Sequence, residues 1–177
     1  MQRPFRTHHL SDLILYKRKA ISLNRKNNLS MNLQNIIKSD NSKTTILIRV
    51  MVGSVFLSEG IQKFLFADAL GVGRFAKIGL PNPDFLSPFV GSFEIICGTL
   101  ILLGLFTRLA AIPLLTVMLV SIATTKLHLL ADNGFWSMLH DSRTDWAMLL
   151  GSIFLLLKGG GKWSADKKIY TSSKSEL

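Results

Sequence analysis

The sequence predicts an all-α integral membrane protein, a four-helix bundle with both termini in the cytoplasm. Three observations carry that prediction. Of the 177 residues, 48% are apolar and only 18% charged, with a mean hydropathy of +0.33. The charge is unevenly placed: residues 1–45 hold Arg3, Arg6, Lys17, Arg18, Lys19, Arg25, Lys26, Lys38 and Lys43 against Asp12 and Asp40. From Ile46 onward, apolar runs alternate with short polar breaks. A basic arm before such runs suits a membrane protein, with no nucleic-acid partner expected.

A helix rises ~1.5 Å per residue, so about 20 apolar residues span the hydrocarbon. Residues 46–66 meet this length and carry Arg49, Glu59 and Lys63. Residues 85–106 meet it with Glu94 as their only charge, behind the turn and helix-start signal Asn82-Pro83-Asp84. Residues 109–130 follow, with Pro113 expected in the first turn, where a missing N–H costs little. Gly104 and the link Phe106-Thr107-Arg108 leave room only for a tight helical hairpin. The run at 146–157 is short by itself and needs Lys158 to snorkel and Gly159 to Gly161 to finish the span. Ser142-Arg143-Thr144-Asp145 has capping-box spacing just before it.

The organisation expected is therefore a cytoplasmic basic arm at 1–45 without fixed structure, a transmembrane domain at 46–161 and a basic cytoplasmic tail at 162–177. Met31 offers a second start, which would make 1–30 dispensable. Arg108 in the link and Lys158, Lys162, Lys167, Lys168 and Lys174 near the end put these segments inside by the positive-inside rule. The other two loops balance Arg74, Lys77 and Arg143 with Asp68, Asp84, Asp132, Asp141 and Asp145. Cys97 is the only cysteine, so no intramolecular disulfide and no CxxC redox pair can form. It reads as a small buried apolar residue.

Charges inside a span cost roughly 2.5–3.5 kcal/mol each on insertion scales. At 100° per residue, Arg49, Gly53, Phe56, Glu59, Gly60 and Lys63 share one stripe of the first helix. Glu59 and Lys63 have the favourable order for a helical ion pair, and Arg49 reads as an interfacial anchor. Glu59 falls ~10 Å and Glu94 roughly 8–14 Å from the outer edge. Lys63, Lys126, His128, His140, Arg143 and Asp145 fall at or above that level, so the polar groups converge on the outer half. They can form a polar network that sets helix register, a cavity for a small polar or quinone-like ligand, or a metal site, for which His128, Asp132 and His140 are weak candidates. His8 and His9 are weaker still. Trp136, Trp146 and Trp163 read as interface residues. The small residues Gly91 and Gly98, and Ala147 with Gly151, read as close helix contacts.

The order of these features resembles the DoxX family of small four-helix membrane proteins. The resemblance runs from about Ile46 to Asp166, through FLSEGIQKF (56–64), GSFEIICGTLILLGLFTRLAA (91–111) and RTDWAMLLGSIFLLLKGGGKWSAD (143–166). Lys162 and Ala165 depart from the Pro and Leu frequent in relatives, a change confined to a loop. It implies a multi-pass protein of a bacterial inner membrane, in a family named for subunits linked to thiosulfate oxidation and quinone reduction. No catalytic residue set is carried over with it.

The expected function is an accessory or assembly subunit of a redox-linked membrane complex with no catalysis of its own. The alternatives are a quinone-dependent oxidoreductase subunit with a ligand in the outer half, and a small proton-coupled transporter using Glu59 and Glu94. No cofactor is evident, although a quinone would suit the second reading. The partners expected are lipid and other membrane or redox proteins, with room for a homo-oligomer.

Overall fold

The computed structural model describes Lys17, Arg18 and residues 39–175. The basic arm and His8-His9 lie outside the described residues, apart from Lys17, Arg18 and the stretch from Ser39. From Ser39 on, every regular element described is helical. In order they are α1 (Thr45–Leu65), α2 (Ala67–Leu70), α3 (Val72–Lys77), α4 (Pro83–Leu103), α5 (Thr107–Ser121), a π-helical turn (Ile122–Lys126), α6 (Leu127–Asp141), α7 (Arg143–Lys158) and α8 (Ala165–Ser175).

Among the described residues, three stretches are long and apolar enough to cross a membrane, namely Thr45–Leu65, Pro83–Leu103 and Thr107–Asp141. The core lies where α1, α4, α5 and α7 meet, around Val52, Phe56, Ile101, Ala111, Leu114 and Leu155. Large apolar side chains elsewhere point outward, among them Leu47, Ile96, Leu119 and Leu150. In water such a surface would be an aggregation hazard; against lipid tails it is the ordinary exterior. The chain is a membrane protein whose helices contact the bilayer.

The pairing of α1 with α4 is the most extensive in the bundle. It is made possible by glycine. A Cβ at Gly60 would lie 2.7 Å from the Gly91 carbonyl oxygen, and one at Gly98 2.8 Å from the Leu57 nitrogen. The backbones therefore touch, as small-residue packing between membrane helices allows. Gly151 of α7 makes room instead for the Val52 side chain of α1, whose Cγ2 would lie 2.6 Å from a Cβ there, while Ala147 is exposed.

Helix starts follow the expected punctuation with two corrections. Pro83 opens α4 behind Asn82 in the left-handed region, and Gly104 closes it at φ 68°. Pro113 lies in the second turn of α5, not the first, because the helix begins at Thr107. Ser142 does precede α7, but its side chain caps nothing there. Its hydroxyl instead donates to the Met138 carbonyl oxygen at 2.6 Å, while Asp145 is drawn to Lys126.

The third apolar stretch is not one rod. Its 35 residues would extend ~52 Å if straight. Yet Lys126 and Asp141, 15 positions apart, form an ion pair at 2.5 Å, which a straight helix holding them ~22 Å apart forbids. The reversal is at Gly134, whose φ of 79° and ψ of 172° break the helix, a conformation open to glycine and few other residues. Beyond it the chain runs into α7 with little interruption, since Ser142 N–H donates to Met138 O and Trp146 N–H to Ser142 O. Residues 135–158 thus form a near-continuous helix of about 36 Å.

At the opposite end, the start of α1, the end of α4, the start of α5 and the end of α7 meet; this is called the proximal end below. Arg49 is 3% exposed and organises it, which corrects its reading as an interfacial anchor. Its Nε donates to Ile101 O at 2.9 Å, and its terminal nitrogens to Leu102 O at 2.5 Å, Gly160 O at 3.1 Å and Trp163 O at 3.0 Å. Carbonyls at a helix C-terminus have no intrahelical partner, and a guanidinium with five donors can serve several at once. Asp166, 1% exposed, does the reciprocal work for α5, accepting from Phe106 N–H at 2.7 Å and Thr107 N–H at 3.0 Å. A carboxylate at a helix N-terminus is favoured by both hydrogen bonding and the helix dipole.

Candidate functional site

The polar groups picked out along the sequence separate into two clusters. The first joins α1 to α4. Lys63 Nζ lies 2.7 Å from Glu94 Oε2, and the two side chains are 11% and 3% exposed. The expected pair within α1, Glu59 with Lys63, is therefore replaced by one between helices. The physical reason is the glycine contact one turn away. Gly60 against Gly91 brings α4 close enough for Lys63 to reach a carboxylate shielded from solvent, where attraction is stronger. An exposed i, i+4 pair offers only ~0.3–0.5 kcal/mol.

Glu59 stays exposed on α1 and makes no ion pair among the described residues. It lies with Arg74 of α3 within electrostatic reach of Glu94. The first cluster is thus a shielded pair with one further charge of each sign beside it. Arg74 was not among the residues picked out along the sequence, where it counted only in the loop charge balance. What brings it near is the folding back of α3 onto α4, anchored by buried Phe75.

The second cluster joins the π-helical turn to the segment that returns from Gly134. Lys126 Nζ meets Asp141 Oδ2 at 2.5 Å and Asp145 Oδ2 at 3.1 Å. Those two carboxylates are four residues apart, on one helical face, so a single ammonium bridges them. Along the sequence Asp141 stands out as loop charge beside His140. Its sequence signal was the i, i+4 spacing to Asp145, with a lysine inside the preceding apolar run. Arg143 stacks its contacts on His140, with Nη1 3.0 Å from Nε2.

His128 and Asp132, on the leg before Gly134, are exposed. Among the described residues, no three His, Cys, Asp or Glu side chains gather as a metal site would require. Cys97 is buried in the core, as expected. What the two clusters can do chemically is hold helices in register and keep compensated charge within the bundle. The first also leaves Glu59 as a carboxylate near the pair with a free side.

Comparison with known proteins places the chain. The DoxX family model matches residues 44–127, which takes in Arg49, the Lys63–Glu94 pair and the tight hairpin before α5. The chain is 50% identical over 140 residues to the "Uncharacterized membrane protein Rv3486" of Mycobacterium tuberculosis, covering 76% of this chain and 86% of that protein. It is 28% identical over 131 residues to the "Putative oxidoreductase CatD" of Bacillus subtilis, covering 74% of this chain and 90% of that one. No solved structure matches it. With the family's segment laid over α1 to α5, and with half of all aligned positions shared with a relative of nearly equal length, the chain belongs to the DoxX family.

Proposed function

We propose that this DoxX-family protein is an accessory membrane subunit of a redox-linked assembly and performs no reaction of its own. The observation that carries the reading is the Lys63–Glu94 pair. Its charges neutralise each other across the α1–α4 contact, and in the second cluster Lys126 ties two carboxylates of the returning segment to the π-helical turn. Groups paired in this way fix register and orientation, one of the better attested uses of a shielded ion pair.

Glu94→Gln is the test. Leaving Lys63 without its counter-charge is expected to cost up to ~3 kcal/mol, less than for a fully enclosed pair because the ammonium can move toward water. Such a loss lowers abundance in the membrane several-fold. The exchanged pair, Lys63→Glu with Glu94→Lys, should recover most of it. Undiminished abundance together with collapse of quinone reduction or substrate flux in membranes would defeat the accessory reading. Co-purifying proteins, identified by mass spectrometry after mild detergent extraction, would name the assembly.

One observation favours a second reading, in which the chain is a quinone-linked oxidoreductase subunit. Glu59 is unpaired among the described residues and stands beside the pair, where it could accept a hydrogen bond from a bound ring. The name of the Bacillus subtilis relative points the same way. Loss of quinone reduction in Glu59→Gln at normal abundance would select this reading.

We also infer four crossings with both ends in the cytoplasm of a bacterial inner membrane, the bundle occupying 46–161. The near-continuous helix at 135–158 supports a fourth crossing, since about 36 Å exceeds the hydrocarbon thickness. Lysines at 158, 162, 167 and 168 support the orientation. In a Cys97→Ser background, Asn133→Cys should react with a membrane-impermeant maleimide added to intact cells, and Ser172→Cys only after lysis. The reverse pattern would invert the topology, and labelling of both in intact cells would remove the even number of crossings.

A further inference from the structure

The proximal end contains a cavity of about 320 Å³, lined by Ser39, Asp40, Asn41, Arg108, Leu157, Lys158 and Lys167. It takes no part in the clusters described above. Three cations face one carboxylate there. Asp40 is already engaged, with its N–H donating to Lys158 O at 2.9 Å and its Oδ2 3.6 Å from Lys158 Nζ. The excess positive charge thus falls on Arg108 and Lys167.

Arg108 is the informative member. Its Nε is buried and has no hydrogen-bond partner among the described residues. A buried donor without an acceptor is destabilising, and a guanidinium is the side chain whose geometry best fits a tetrahedral oxyanion. It is also the second residue of α5, where the helix dipole adds to the attraction for an anion. Asp166 takes the N–H groups of Phe106 and Thr107, so the helix end is closed and the side chains are what remains for a ligand.

Position identifies the source of the anion. The cavity sits where apolar spans end, with Leu157 on its wall 66% exposed and neighbouring Leu109 54% exposed. A ligand here has hydrocarbon on one side and water on the other. We propose that this cavity holds the phosphate of an anionic phospholipid headgroup, with Arg108 and Lys167 as its cationic contacts and Leu157 beside the acyl chains. Basic pockets between membrane helices take such headgroups. The proposal does not depend on which side of the membrane the proximal end faces.

The test uses the full-length protein in mild detergent, with lipid retention read by native mass spectrometry. Phosphatidylglycerol is expected to be retained over phosphatidylcholine, and each cation removed should weaken it about five-fold. Lys167→Gln carries the decision, because Lys167 lies on α8 outside the packed core and its loss leaves the fold intact. Arg108→Gln should add to it, and Lys77→Gln, on α3, should change nothing. Equal retention of the two lipids, or undiminished phosphatidylglycerol binding by both cavity variants, would overturn the proposal. Displacement of phosphatidylglycerol by millimolar inorganic phosphate would reassign the cavity to a soluble phosphate and overturn the lipid source.

Discussion

Arg49→Met is expected to destabilise the bundle by about 3–5 kcal/mol, the range for stripping a buried charged hub from its partners. Methionine replaces the aliphatic stem of the side chain but donates nothing. The carbonyls of Ile101, Leu102, Gly160 and Trp163 would each lose a donor, and Asp166 would lose a compensating charge. Arg49→Lys should rescue little. A single ammonium cannot reproduce a planar fork that reaches the end of α4 and the segment after α7 together. Thermal unfolding in detergent, followed by circular dichroism, reads both variants. A midpoint unchanged in Arg49→Met would show that the hub does not hold the proximal end, and full rescue by lysine would show that only charge matters. Gly104 is bound to the same outcome, since a Cβ there would lie 2.6 Å from Arg49 Cζ.

The second large effect is expected at Gly60. Gly60→Ala inserts a methyl group 2.7 Å from the Gly91 carbonyl oxygen and 2.9 Å from the Ile95 nitrogen. Both are backbone atoms, so no rotamer change relieves the clash and the helices must separate. Overpacking of this kind costs typically 1–3 kcal/mol, and backbone contact puts Gly60→Ala near the upper end. Separation would also pull Lys63 from Glu94. Glu94→Gln added to Gly60→Ala should therefore cost less than the sum of the two changes, as coupled neighbours do. Ser58→Ala, on an exposed position of the same helix, should be near neutral. Strict additivity in the double variant would separate the glycine contact from the ion pair.

The parts legible in the sequence were those written in hydropathy and punctuation. The first two spans, Pro83 behind Asn82, the hairpin closed at Gly104, and the glycine contacts of Gly91 and Gly98 are all local patterns. Partner choice was not local. Glu59 and Lys63 have ideal spacing along one helix, yet the approach of Gly91 delivers Glu94 to Lys63. Arg49 read as an anchor because the carbonyls it serves belong to residues 52 to 114 positions away. The fourth apolar run looked short because the polar residues His140 to Asp145 interrupt it in hydropathy, although the helix from Phe135 continues through them. Ser142 illustrates the limit of a motif: its spacing to Asp145 suits a capping box, but continuity of the helix through Met138 makes the cap unnecessary.

The dependence of Arg49 on Gly160 and Trp163 sets an order of events during synthesis. The arginine enters the membrane in the first hydrophobic helix, while the last two carbonyls that accept from it emerge more than 100 residues later. Until then only the carbonyls of Ile101 and Leu102, at the end of α4, are there to accept from it. Closure of the proximal end is thus a late step that checks for the arrival of the segment after α7. A chain ending before Gly160 would present an incompletely satisfied cation beside an uncapped α5, the kind of defect that membrane proteases can recognise.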